Sequence, residues 1–520
     1  MKKSFKYIAL LLSLTTITSC SGDFLDHKPT NSVPSEIAAT PANAGRLFIG
    51  AWRYLMETMS SQANYGYRSL MSADDVMASD VALAGNTYSL GDAYKFIEQT
   101  SASSSRGSFA WALLYKTIDN CNTVISLKAD GDEDTKDFQY AQGQALALRA
   151  FCYLHLVQHY QFTYQKDKNA LCVPLYTEPT TASTAPKAKA TVEAIYNQIF
   201  EDLNLAKGKL EGYKYSTVQE KYKPTVNVVN GILARAYLVV GEWDKAVSAA
   251  QDARKGFGLM TLDPEKEGTD YQGFNEMTNS EWIWAHPQSV STQDNASSYG
   301  FSYLDVTLPS GYCSMLADPH FRDLFEKEDP RRKLFKWMRN GSLGYCKFIA
   351  RDDQTADIVL MRSSEMCLIE AEGMARSTNY TIDDAVKSLN ELRTKRGLKK
   401  YDLTGKTKED LVNEILLERR RELWGEGFGI TDVLRTQQSV VRTALTPDYI
   451  KNIEEIKKVT DDDGKEQYVV SCWQANGKYL DKTPAGHLTT KFPDGSQPVA
   501  NSKYYIYVIP EKETNANPNL

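Results

Sequence analysis

Apolar positions recur at intervals of three and four along several stretches of this chain, and between those stretches the recurrence stops. Such spacing predicts amphipathic helices. It begins near residue 43 in NAGRLFIGAWRYLMETM and returns over 106–128 and 137–160, where Ala141, Ala145, Leu148, Cys152 and His155 share one face. TVEAIYNQIFEDLNLAKGKL reads as a further helix of the same kind. Over 226–254, Ala234, Tyr237, Gly241, Trp243, Ala246, Ala250 and Ala253 fall where a tetratricopeptide-type hairpin needs them: small residues at the helix contact, glycine at the turn, aromatics in the gap. A second hairpin is predicted from Glu370, Ala371 and Ala375 before a turn and Ala385 and Leu389 after it. Residues 405–424 predict a long helix with Thr407 as its cap and Asp410 in its first turn. Hairpins of this type bury their faces only against neighbours, so they are expected to pack side by side.

Three stretches lack sustained periodicity: 61–105, 256–360 and 426–520. Within them GSLGYCKF, QTADIVLMR and YYIYVIP suggest short strands, and 461–464 a turn. Irregular stretches this long are often functional. The expected fold is therefore mostly α, with a helical-hairpin scaffold at about 43–60, 106–255 and 361–425 supporting a loop-rich, irregular subdomain with short β-strands. The whole of 43–520 is read as one domain.

The N-terminus has a different pattern. Lys2, Lys3 and Lys6 precede an apolar run at 7–17, which is too short for a membrane span of about 20 residues and has the form of a signal peptide. Ile17-Thr18-Ser19-Cys20 resembles a bacterial lipobox, so 1–19 is expected to be removed and Cys20 lipidated. Residues 20–42 then serve as lipidated N-terminus and polar tether, because several buried acyl chains hold a protein to a membrane without a spanning helix.

Net charge is -6 and charged residues make up 24%, an ordinary balance that gives no support for nucleic-acid binding. The 8 cysteines include no CxxC pair, and those other than Cys20 are expected mainly as buried free thiols. His155 and His159 lie one helical turn apart, but Leu156 stands where a zinc protease has Glu, so helix packing is expected and no metal is assigned. Asp130, Asp132 and Asp134 alternate like calcium ligands yet lack the loop's glycine and closing glutamate, and read as a solvated turn. No nucleophile-elbow, dinucleotide or P-loop motif occurs, which points to a binding protein rather than an enzyme and implies no cofactor. In Glu418-Arg419-Arg420-Arg421-Glu422, Glu418 and Glu422 repel in register and Arg421 is out of register with Glu414, so at least some of the arginines are expected to find partners on other elements.

Aromatic content is high, at 30 Tyr, 8 Trp and 18 Phe. Tyr65, Tyr67, Tyr88 and Tyr94 fall in the first irregular stretch, and Trp282, Trp284, Tyr299 and Tyr303 in the second. Flat rings on a stiff scaffold cover the apolar face of a sugar at low entropy cost, so these are the candidate ligand-binding residues.

In chain order, several groups of residues resemble the SusD/RagB family of outer-membrane nutrient-binding lipoproteins of Bacteroidetes. After the lipobox come Asp23-Phe24-Leu25-Asp26 and Pro29, then Trp111, Tyr115, Ile118 and Asn122, then Arg149-Ala150 with Tyr153 and Leu156. Glu365, Leu368, Glu370, Ala371, Leu389-Asn390, Arg393 and Arg396 precede the signature Glu418 to Leu423, which continues through Glu426-Gly427 to Asp432 and Arg435. Ile509-Pro510-Glu511, Glu513 and Asn517-Pro518-Asn519-Leu520 form the matching end. Gly429, Ile430 and Thr431 depart from the arginine and aromatics usual after Glu426-Gly427, which bears on local packing there. The resemblance implies four tetratricopeptide-like hairpins, a place on the outside of the outer membrane, and a SusC-like TonB-dependent transporter as partner. It implies capture of an oligosaccharide or polysaccharide for that transporter, with no bond chemistry. Capture of a peptide or other nutrient is the alternative, and a glycan-active enzyme the second.

Overall fold

Side-chain oxygens start most of the long helices. Ser104 accepts from Gly107 N, Thr135 from Phe138 N, Thr191 from Ala194 N and Thr225 from Val228 N, each relieving an unpaired donor in a first turn. Thr381 with Asp384 and Thr407 with Asp410 form reciprocal capping boxes. The structure, a computed structural model, describes residues 39–83, 90–262, 273–289, 303–308, 314–460, 463–474 and 476–520.

The principal helices are α1 (Ala44–Glu57), α2 (Gly66–Met77), α3 (Ser105–Ser126), α4 (Lys136–His159), α5 (Val192–Lys209), α6 (Val226–Val240), α7 (Trp243–Ala253), α8 (Ser363–Arg376), α9 (Ile382–Lys395), α10 (Lys408–Leu423) and α11 (Gly429–Arg435). From α3 to α9 each packs on the next, α1 lies against α3 and α4, and α10 closes on α8. The fold is mostly α, as the periodicity predicts. Ala234, Ala246 and Ala250 are fully buried where α6 meets α7, and Gly241 turns the chain between them at φ 82°. Among the described residues no helix is long and apolar enough to cross a membrane.

The strands are short: β1 (Val81–Leu83), β2 (Trp282–His286), β3 (Met315–Ala317), β4 (Phe335–Met338), β5 (Ser342–Tyr345), β6 (Ile358–Arg362), β7 (Lys457–Thr460), β8 (Glu466–Trp473) and β9 (Tyr479–Lys482). One sheet runs β7-β8-β4-β5-β3-β1, with β9 also paired to β8, along 470–473. The β2–β6 ribbon is buried along its whole length. Trp284 on it belongs to the scaffold core and Trp282 to the core of the irregular half, so the ribbon joins the two.

Two expectations are corrected. Residues 61–105 are not irregular throughout, because 66–77 form α2. Every residue of α2 is buried, and its polar side chains face protein instead of solvent: Arg68 donates to Gly425 O, Asp74 meets His159, and Asp75 accepts from Gly427 N. YYIYVIP is not a strand: Lys503–Tyr505 is a 3-10 turn, after which Tyr507 N donates to His159 O and Val508 N to Gln99 O. The 3-10 turn Gly131–Glu133 is solvated as expected, with Asp130, Asp132 and Asp134 all exposed. Cys121, Cys152, Cys172, Cys367 and Cys472 are buried free thiols, and Cys346 is half-buried and free.

Candidate functional site

Tyr88, Tyr299 and Cys20 lie outside the described residues. Tyr65, Tyr67, Tyr94, Trp282, Trp284 and Tyr303 are all interior, none more than 8% exposed, so the open platform expected of them is not formed by them. Their neighbours are protein. The Tyr65 and Tyr303 rings stack at 5.5 Å, the Tyr65 hydroxyl donates to Ser72 and the Tyr303 hydroxyl to Gln62 O. Trp284 packs edge-on to Phe151 at 4.9 Å and donates its indole N–H to Tyr222 O. The Arg442 guanidinium lies 4.2 Å from the centre of the Tyr94 ring, whose hydroxyl is 2.9 Å from His487 Nδ1. Tyr67 packs on Phe151 and His155. Burial of such large rings in a protein this aromatic is core-building, not ligand display.

Displayed rings lie elsewhere, on the β8–β9 ribbon. Trp473 is the direct cross-strand partner of Tyr479, and Ser471 of Asp481, so all four side chains share one face. Tyr479 is 57% exposed and Trp473 half-buried. Lys336 Nζ on β4 lies 4.8 Å from the Trp473 ring centre, and Lys457 Nζ on β7 is 3.5 Å from Asp481 Oδ1. The result is an aromatic pair flanked by a hydroxyl, a carboxylate and two ammonium groups on a rigid sheet. That chemistry covers an apolar sugar face with rings and meets hydroxyls at the rim. A sequence signal for it existed: Asn476-Gly477 between alternating stretches is a hairpin turn, and it closes here with Gln474 N donating to Lys478 O at 2.8 Å.

A second concave feature, of about 330 Å³, opens between α3, the segment after Pro174 and the C-terminus. Trp111 and Tyr115 form its floor with ring centres 4.7 Å apart, and Tyr176 stands edge-on to Tyr115 at 6.2 Å. Its wall is stapled in place. Tyr115 donates to Pro174 O, Asn122 to Glu178 O, Arg149 to Thr177 O, and Asp119 accepts from the amide and hydroxyl of Thr180. Asn517 and Asn519 donate to Lys187 O and Pro186 O from the far side. Burial pushes the Asp119 carboxyl up, but the Thr180 bonds and Lys116 outweigh it and hold the group below its usual range.

A model for the SusD family matches residues 332–520, and a model described as starch-binding, associating with outer membrane, matches 23–238. A SusD-like carbohydrate binding protein from Bacteroides vulgatus is 36% identical, with 92% of this chain and 97% of that one covered at a TM-score of 0.79. The chain belongs to the SusD family. A SusD superfamily protein from Bacteroides thetaiotaomicron shares the fold at 21% identity, covering 92% and 98% of the two chains with a TM-score of 0.67. A laminarin binding SusD-like protein does so at 20%, covering 76% and 91%, with a TM-score of 0.57. No curated protein matches significantly.

In this SusD-family chain the residues from Glu418 to Glu426 are a buried charge hub. Glu422 meets Arg331 at 3.0 Å, Arg362 at 2.7 Å and Arg396 at 2.8 Å, all fully buried, while Glu426 pairs with Arg362 and Lys347. The Glu418–Glu422 repulsion is thereby compensated, since Arg331 also reaches Glu418 at 2.7 Å. Arg419 pairs with Asp432 and Arg420 with Asp80, on other elements as expected. Arg421 does reach Glu414, at 2.9 Å: seven residues apart, the two share a helix face two turns on. The hub fastens the irregular half to α9 and α10; it is not a ligand site.

Proposed function

We propose that the protein captures an oligosaccharide or polysaccharide at the cell surface and passes it to a SusC-like TonB-dependent transporter in the outer membrane. A lipid on Cys20 keeps it there, and no bond in the ligand is made or broken. The observation that carries the glycan reading is the Trp473–Tyr479 pair, presented with Ser471 and Asp481 on one exposed face. A ring covering about 100 Å² of sugar contributes at most about 2.5 kcal/mol by area, so a weak, multi-ring grip suits a protein that must release its cargo. The 36% identical relative, described as carbohydrate binding, supports the same reading. Tyr88 and Tyr299 remain proposed contacts.

The test is calorimetry of residues 21–520 against soluble plant, host and microbial glycans. Saturable heat without new reducing ends is the expected result. Heat from peptides alone would transfer the reading to peptide capture, and new reducing ends would make the protein a glycosidase. Mass spectrometry of the N-terminal peptide reads the acyl groups on Cys20, and co-isolation from outer membranes reads the transporter.

A further inference from the structure

Helix α4 sets His155 and His159 one turn apart, with ring centres 3.8 Å apart and 14° between the planes. Asp74 enters from α2, and its Oδ1 lies 2.8 Å from His159 Nε2. One ligand atom from each of these side chains falls within 4.8 Å of the others. The residues are 4%, 6% and 1% exposed for Asp74, His155 and His159 in turn.

The outer hydrogen bonds decide what faces inward. His159 Nδ1 lies 2.8 Å from the His155 carbonyl, which only accepts, so Nδ1 carries a hydrogen. Its Nε2 faces a carboxylate, which also accepts. That position needs a second proton or a metal ion. His155 Nδ1 is 3.3 Å from the Tyr67 hydroxyl, which donates or accepts, and its Nε2 has no hydrogen-bond partner among the described residues. Asp74, His155 and His159 line a cavity of about 70 Å³ that reaches half-buried Gln158 and Thr431, which leaves room for water beside them. The cations around the cavity are committed elsewhere: Arg235 to Glu365 at 2.6 Å, Arg419 to Asp432, and Arg435 to Asp432 and Glu372.

We propose that Asp74, His155 and His159 form a binding site for a divalent transition metal, with zinc as the ion that suits two imidazoles and a carboxylate. Each imidazole offers Nε2, the carboxylate one oxygen, and water in the cavity completes a tetrahedron. The His155 carbonyl and the Tyr67 hydroxyl fix the ring orientations from behind, through hydrogen bonds to the ring nitrogens that do not face the metal. Bound there, the ion joins α2 to α4 and replaces the proton on His159.

Calorimetry of residues 21–520 with zinc chloride, after chelator treatment, is expected to show one equivalent bound. His155→Phe and Asp74→Asn should each weaken it by at least about tenfold, and Tyr67→Phe by about tenfold with the ligands intact. Where a variant fails to fold, crystals of the unaltered protein soaked in zinc and measured at the zinc absorption edge should show an anomalous peak between Asp74 and the two histidines. Absence of binding, unchanged affinity in folded His155→Phe, or a peak only at other residues such as His320 overturns the site.

Discussion

Arg396 Nη2 and Glu422 Oε1 lie 2.8 Å apart with neither side chain accessible to solvent. The pair joins the end of α9 to α10, and Arg331 and Arg362 reach the same carboxylate from the irregular half. Removing one member of a buried ion pair leaves the others uncompensated, at a cost of about 3–5 kcal/mol. Glu422→Gln should therefore lower the unfolding midpoint sharply in denaturant titrations followed by circular dichroism. Lys457→Gln, at an exposed pair with Asp481, should change the unfolding free energy by less than about 1 kcal/mol.

Acid should unfold the protein through this hub. Burial pushes the Glu418, Glu422 and Glu426 carboxyls up, but Arg331, Arg396, Arg362 and Lys347 outweigh it and hold all three below their usual range. In the unfolded chain glutamates titrate near about 4.3, so below that pH the unfolded state takes up more protons than the folded one. The stability they confer is present above that value and lost as pH falls through the lower folded values. Melting temperature should be flat against this set above about pH 5 and drop steeply toward pH 3, and Glu422→Gln should shallow that drop. An equally steep drop in the variant would remove Glu422 from the cause.

Gly429 stands where the family resemblance leads one to expect other side chains, and the structure supplies the reason. A Cβ there would come 2.6 Å from Ala78 Cβ and 3.0 Å from Asp74 O, because α11 crosses α2 at backbone distance. Gly429 N donates to Asp75 Oδ1 at 3.2 Å, beside a bond from Gly427 N to Asp75 Oδ2. Gly429→Ala should destabilise by about 1–3 kcal/mol, read as a lower denaturation midpoint with an unchanged slope.

Much of the scaffold was legible because helices such as α7 and α9 are two-faced. Ala246 and Ala250 are buried on α7 beside exposed Lys245, Ser248 and Gln251, and Ala385 and Leu389 are buried on α9, which is the half-buried pattern that spacing reveals. Helix α2 is buried on every side, so its polar positions do not mark a solvated face. Ring exposure is not legible for a different reason: aromatic residues in low-periodicity sequence mark a ring, not whether it is displayed. Trp282 is walled in because β2 pairs with β6, more than seventy positions away, and Trp473 is displayed because β8 pairs with β9 across Asn476-Gly477. The second pairing is local and readable from its turn, whereas the first depends on the tertiary fold.

The same contrast separates ligand binding from folding in one experiment. Trp284 is fully buried against Trp52 and Phe151, so Trp284→Ala should cost about 3–5 kcal/mol of stability through the cavity it leaves. Provided the variant is measured where it is folded, its glycan affinity should be unchanged. Tyr479→Ala removes a ring that is 57% exposed, so its unfolding free energy should change by less than about 0.5 kcal/mol. Its affinity should fall by about tenfold, since one stacked ring is worth about 1–2 kcal/mol by area once partial coverage is allowed for. Asp481→Asn keeps the shape and the strand while removing a charged acceptor, and should weaken binding without altering the melting temperature. Calorimetry paired with thermal melts reads both quantities on the same samples. Affinity that follows Trp284 and ignores Tyr479 would place the ligand away from the β8–β9 face.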